Sequence, residues 1–212
     1  MEHLQAVLLG VPLTLVITFS SLLIGAVVGV PLVLGLRSRQ VVLQFVSRAV
    51  IDLLRGIPAV VWLFVIYFGV SIGAFHFEAT TAAIIGLGLV SAAYMAEIYR
   101  GGISAVHTGQ WEAGSALGVG RWGIFSRIIG PQAFRVSVPS MTSYGISLIK
   151  DSSLASTIGV TEIVFMTTQD ARSNAGGLPV YVIAALVYLA LCIPLALLAR
   201  RVDAILRKKV SR

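Results

Sequence analysis

Lys150 and Asp151 stand side by side in a stretch that carries no other charge from Val136 to Thr161. Neighbours on a helix point in different directions, so the two cannot neutralise each other across one face, and each needs another partner or water. Ionisable groups in so apolar a run are functional by default. One chemistry that fits is a lined cavity for a zwitterion, with Lys150 near its carboxylate and Asp151 near its ammonium. Another is a structural polar network at a bend between chains. Ser147-Leu-Ile-Lys150 also fits S-x-x-K, in which a lysine made less basic by burial activates a serine nucleophile. No second motif of that hydrolase type and no glycine-rich oxyanion element accompany it.

Other titratable residues pair at helical spacing. Glu97 lies three residues before Arg100, and Asp52 three before Arg55, spacings that suit interfacial ion pairs on one helical face. A substrate or gating role for Glu97 is the competing reading. His3, His76 and His107 are too scattered for a metal cluster, and no HExxH or GxxxxGK[ST] occurs, so neither a zinc-hydrolase nor a phosphate-loop reading has support. Cys192 is the single cysteine and offers no disulfide framework. His107 reads as a polar loop residue.

These residues must be positioned by membrane-spanning helices. Of 212 residues, 57% are hydrophobic and 12% charged, against about 25% charged in soluble domains. A mean hydropathy of +0.93 means more apolar surface than a soluble body of this size can bury. Charge-free runs cover Leu4–Leu36, Gly56–Phe75, Ala79–Ala96, Val136–Thr161 (apart from Lys150 and Asp151) and Ser173–Ala199. A span needs about 20 mostly apolar residues, so the expectation is an all-α, polytopic protein with five transmembrane helices in one domain, 1–212. Pro12 suits a first helical turn. The start, MEHLQ, lacks the positive region of a removable signal peptide.

The formal charge of +7 then reads as topology rather than nucleic-acid binding. The C-terminal RRVDAILRKKVSR and the loops after the first and third spans hold 14 of the 16 basic residues, while the opposite side has only Arg172. The positive-inside rule puts the N-terminus outside and the C-terminus in the cytoplasm.

The longest connection, residues 101–134, is then cytoplasmic. Thr108 is placed to cap a helix, and Glu112 in its first turn suits the positive end of the dipole. Ala113, Ala116 and Leu117 share one face, and Gly118 falls where a left-handed C-cap would. RWGIFSRII follows as a second amphipathic piece before Pro131. Two short helices joined at a glycine turn could form a knob pressed into a protein groove; a helix lying on the lipid surface is the other reading.

The run GGISAVHTGQWEAGSALGVGRWGIFSRIIGPQAFR resembles the "EAA" loop of ABC-importer permeases: Glu-Ala-Ala, three residues, Gly, then a spacer ending near Ile-x-Leu-Pro. Glu112, Ala113 and Gly118 match; Gly114 stands where that family usually has alanine, and Gly130 where leucine precedes Pro131. LLRGIPAVVWLFVIYFG at 53–69, AAYMAEIYRGGI at 92–103 and SLIKDSSLASTIGVTEI at 147–163 are similar to the polar amino-acid uptake branch, with Ser152 a departure from its Lys-Asp-Thr-Ser-Leu. The resemblance covers nearly the whole chain. It implies the type I ABC importer permease fold in a bacterial cytoplasmic membrane. Glu112, Ala113, Gly114, Ala116, Leu117 and Gly118 would form the coupling helix in a groove of a separate ATPase subunit, which binds the ATP and Mg; this chain carries no cofactor. An external binding protein would deliver a polar or charged amino acid, and a second permease chain, identical or sister, would complete the pathway near Lys150, Asp151 and Glu97. A secondary carrier or channel is the alternative, although no internal repeat of the kind such folds use is visible.

Overall fold

The computed structural model describes residues 2–72, 75–173 and 177–210. Helix α1 (Glu2–Leu9) and α2 (Val11–Leu36) are followed by α3 (Val41–Gly56) and α4 (Ala59–Phe64), the last extended by a π turn over Val65–Gly69. A two-residue antiparallel hairpin, β1 (Ser71–Ile72) and β2 (Phe75–His76), leads into α5 (Ala79–Ser104). Then come α6 (Gly109–Ala116), α7 (Arg121–Ile124) with a π turn at Phe125–Ile129, α8 (Gly130–Asp151), a 3-10 segment (Ser152–Ile158), α9 (Ile163–Ser173) and α10 (Gly177–Val210).

Among the described residues three stretches, Glu2–Leu36, Ala79–Ser104 and Gly177–Arg201, are long and apolar enough to cross a membrane, and α3 with α4 and its π turn passes as a fourth if counted as one bent span. Helix α2 lies along α5 at close range. A Cβ on Gly25 would come within 2.5 Å of Ser91 Cβ, and one on Gly29 within 2.8 Å of Met95 Cβ. Small residues are what let two helix backbones approach this closely where lipid supplies no hydrophobic drive.

Two expected spans differ from the straight helices anticipated. The second is shorter than the expected Gly56–Phe75. It begins only after a break at Ile57, which precedes Pro58 and is extended (φ −102, ψ 133), because the proline ring disfavours the helical region for the residue before it. It ends at Gly69, with Ser71–Ile72 and Phe75–His76 forming the hairpin. Ahead of the break, residues expected as a basic loop form α3, inclined by 99° to the segment that follows. Ile51 and Leu54 bury one face of α3 on Val33, Ala93 and Ala96 of α2 and α5, which explains a helix where the charges alone suggested none. The fourth tightens to 3-10 immediately after Lys150 and Asp151. Ser152 Oγ donates to the Ile149 carbonyl at 2.7 Å, and Gly159 (φ +88) closes the segment.

At the end remote from α6, α1 packs between α9 and α10 through Val7, Ile163 and Val180. Glu162 is fully buried and caps α9, accepting from the Val164 and Phe165 amides at 2.9 and 2.8 Å and from the Tyr188 hydroxyl at 3.1 Å. His3 Nδ1 meets Asp170 Oδ2 at 2.6 Å.

Candidate functional site: a surface knob and a polar seam

Helix α6 begins without the side-chain cap expected of Thr108, whose backbone is already helical (φ −58, ψ −33). His107 takes that place: its Nδ1 accepts the Gly109 amide at 3.0 Å. The helix ends as its glycine foretold. Gly118 is left-handed (φ +71), its amide donates to Ser115 O at 3.0 Å, and the Val119 amide donates to Gly114 O at 3.1 Å. Those two bonds are the Schellman closure, which satisfies the last carbonyls and reverses the chain.

Gly114 is the buried residue of α6. Ile124, 1% exposed, lies against it so closely that a Cβ there would sit 2.8 Å from Ile124 Cγ1. Glu112, Ala113, Ala116 and Leu117 stay exposed, and Leu117 and Trp122 present 81% and 72% of their surfaces. The pair α6–α7 is thus a seated knob with an outward face of one acid, small residues and a leucine. Its second helix does not stop at Pro131. The missing proline N–H would interrupt an α-ladder; here the chain passes through the π turn and runs on into α8.

The second feature is a row of polar side chains along α3, α5 and α8. Arg100 holds Glu97 Oε2 through Nη2 at 2.6 Å and Nε at 2.8 Å. Arg48 reaches Glu97 Oε1 at 3.3 Å, a partner 49 residues away that local spacing could not reveal. Arg55 forms no ion pair with Asp52 among the described residues. That expected pair gives way to a guanidinium lying 5.1 Å from the centre of the Tyr94 ring, a cation–π contact worth about 0.5–1 kcal/mol when exposed. Tyr94 stacks on Tyr144 at 5.0 Å, and the Tyr144 hydroxyl pairs with Ser91 at 2.9 Å. Two turns further along the same face of α8 comes Asp151. Arg55, Tyr94, Glu97, Ser137 and Ser140 surround an open cavity of about 360 Å³.

Lys150 and Asp151 are both exposed and form no ion pair among the described residues. Ser147 and Lys150 share no hydrogen bond among them either, so the serine–lysine arrangement is not assembled. A separate groove of about 530 Å³ between α2, α8 and α10 is lined almost wholly by apolar side chains such as Leu22, Met141 and Leu195 and offers a polar ligand little to hold.

Charged side chains this open cannot face lipid tails; they face water or another protein. A membrane helical body with a polar seam open along one flank and an exposed knob at one end has two surfaces for water or a partner protein to cover. The chain belongs to the family of binding-protein-dependent transport system inner membrane components, whose model matches residues 21–208. It is therefore a permease subunit of the membrane and not itself an enzyme. It is 40% identical over 195 residues to the probable amino-acid ABC transporter permease protein YckA of Bacillus subtilis, spanning 90% of this chain and 84% of that one. It is 34% identical over 198 residues to the nopaline transport system permease protein NocM of Agrobacterium fabrum, spanning 89% and 82%. Among solved structures it superposes on a chain of an amino acid ABC transporter crystallised with histidines at a TM-score of 0.90, with 28% identity over 96% and 95% of the two chains. The inward-facing MetNI methionine ABC transporter, at 0.75 and 23% identity over 95% and 96%, shares the fold.

Proposed function

We propose that this chain forms half of the translocation pathway of an ATP-driven importer of polar or charged amino acids, and that a second permease chain closes the other half. The single observation that carries the reading is the open polar seam of Arg55, Tyr94, Glu97, Tyr144 and Asp151. One chain leaves it open along one flank around a cavity of about 360 Å³, and a second such flank would enclose it as an aqueous path. Substrate class follows from relatives named for amino acids and nopaline, and from a seam that offers both guanidinium and carboxylate to a zwitterion. Lys150 and Asp151 stand at the end of α8, where the helix tightens, and Glu97 is engaged by two arginines. In this reading Asp151 and Arg55 meet the substrate, and Glu97 with Arg48 and Arg100 braces the wall.

The polypeptide crosses the bilayer five times, with the N-terminus outside and the C-terminus in the cytoplasm. Helix α8 supplies the crossing that polar residues disguise: its 22 residues span roughly 33 Å, against a hydrocarbon core of about 30 Å. The knob then faces a cytoplasmic ATP-binding subunit that holds ATP and Mg, and Glu112, Ala113, Gly114, Ala116, Leu117 and Gly118 form the contact. Closure of two ATPase subunits draws two knobs together and shifts the spans between inward- and outward-facing states. An external binding protein delivers the amino acid.

The test is uptake of labelled amino acids into vesicles holding the permease, its ATPase and its binding protein. Glu112→Lys and Gly118→Val insert normally, hydrolyse ATP at the basal rate and lose at least tenfold in uptake. Normal uptake by both would remove the knob from the coupling path.

A further inference from the structure

The first turns of α3 have an apolar face that nothing in the chain covers. Val41, Val42 and Phe45 are 76%, 74% and 72% exposed, and Val46 and Leu53 about half. On a helical wheel Val42, Val46, Ala49 and Leu53 form one stripe, opposite the side that buries Ser47, Ile51 and Leu54. A groove of about 300 Å³ runs between the end of α2 at Leu36 and Val41, Gln44, Phe45 and Arg48 of α3. The next helix departs at 99°, so α3 runs nearly perpendicular to α4 and its π turn.

The charges at the start of this face have one sign. Arg37 and Arg39 precede α3 and are exposed, and they form no ion pair among the described residues. No acid occurs anywhere from His3 to Ile51; of the guanidinium groups at this end of α3, Arg48 is taken by Glu97, and Arg37 and Arg39 are left for an outside anion. A second copy presenting the same face would set these arginines against themselves. An occupant with a phosphate above two apolar chains satisfies both halves: phosphate accepts guanidinium hydrogen bonds in bidentate fashion, and an uncovered apolar stripe beside cations is what interfacial amphipathic helices set at the headgroup–acyl boundary.

We propose that Arg37, Arg39 and the uncovered face of α3 form a binding site for an anionic phospholipid of the cytoplasmic leaflet. The leaflet rests on the orientation given under Proposed function. The site makes α3 a membrane-plane strut: its opposite face holds the seam through Arg48 and Arg55, so lipid charge bears on the wall of the pathway.

The experiment uses the full permease with its co-purified ATPase in nanodiscs, and Phe45→Trp as reporter. Its fluorescence difference from the parent, which already carries Trp62, Trp111 and Trp122, isolates position 45. Brominated phosphatidylglycerol and brominated phosphatidylcholine compete as quenchers. Phosphatidylglycerol is preferred by about five- to thirtyfold, the range expected when one or both arginines engage a charged headgroup, and Arg37→Gln with Arg39→Gln brings the two lipids to parity. Equal quenching in the parent, a preference untouched by the double variant, or no quenching by either lipid overturns the site. Gln40→Cys in a Cys192→Ser background, labelled with an impermeant maleimide in sealed vesicles, reports the side independently. Labelling from outside alone overturns the orientation and the leaflet with it, whereas cytoplasmic labelling without lipid selectivity overturns the lipid site alone.

Discussion

At Gly114 the absence of a side chain is a packing requirement. Ile124 occupies the space a methyl group would take, with its Cγ1 and Cδ1 2.8 and 3.0 Å from where a Cβ would lie. Gly114→Ala therefore overpacks the knob and destabilises it by about 1–3 kcal/mol. In the purified complex the thermal midpoint falls and ATPase retention weakens, and Ile124→Val restores part of both. A melt unchanged by Gly114→Ala would mean that Ile124 yields freely. Gly118 differs in kind: nothing lies within 4 Å of its missing Cβ, and its demand is purely on the backbone, where a left-handed non-glycine residue costs roughly 1–2 kcal/mol. The glycine stop and the i,i+3 spacing of Glu97 and Arg100 are local signals, visible in a few letters. The partners Arg48–Glu97 and His3–Asp170, 49 and 167 residues apart, are products of packing and carry no local mark. His107 capped the helix start because Thr108 had already turned helical, a choice between neighbours that residue preference does not decide.

Elements repeat this division. Helix α2 and α5 announce themselves by apolar length. Helix α3 hides because its polar arc of Gln44, Arg48, Asp52 and Arg55 and its loop-like flanks obscure a buried stripe only three residues wide. Helix α9 is held at its start by Glu162, which accepts three hydrogen bonds while fully buried. Glu162→Ala leaves two amides and the Tyr188 hydroxyl without that acceptor, and loss of the cap alone costs about 0.5–2 kcal/mol. Hydrogen exchange should report faster opening of residues 163–173 in this variant, with Glu162→Gln intermediate because its carbonyl still accepts. Unchanged protection would show that α9 is held by its apolar contacts to α1 and α10 instead.

The whole molecule has one flank that belongs in lipid and one that does not. Helix α10 exposes Leu186, Leu189, Leu197 and Leu198 at 51–59%, while the flank where α3, α5 and α8 meet exposes Arg55, Tyr94 and Ser140. In a Cys192→Ser background, Ser140→Cys at the cavity should react rapidly with a water-soluble maleimide, and Leu186→Cys should resist it. Equal rates would place both flanks in one environment and remove the basis for a paired pathway. The continuous helix from Arg121 to Asp151, roughly 46 Å at 1.5 Å per residue, carries one helix of the knob at its start and Ser137, Ser140, Tyr144 and Asp151 of the seam along its length. Knob and wall are thus fixed in phase on one shaft, with a single residue of slack where the π turn at Phe125–Ile129 is wound in. A residue gained or lost between them would turn one against the other by about 100° with both surfaces intact, so the timing of the pathway is written in a residue count and not only in the groups that line it.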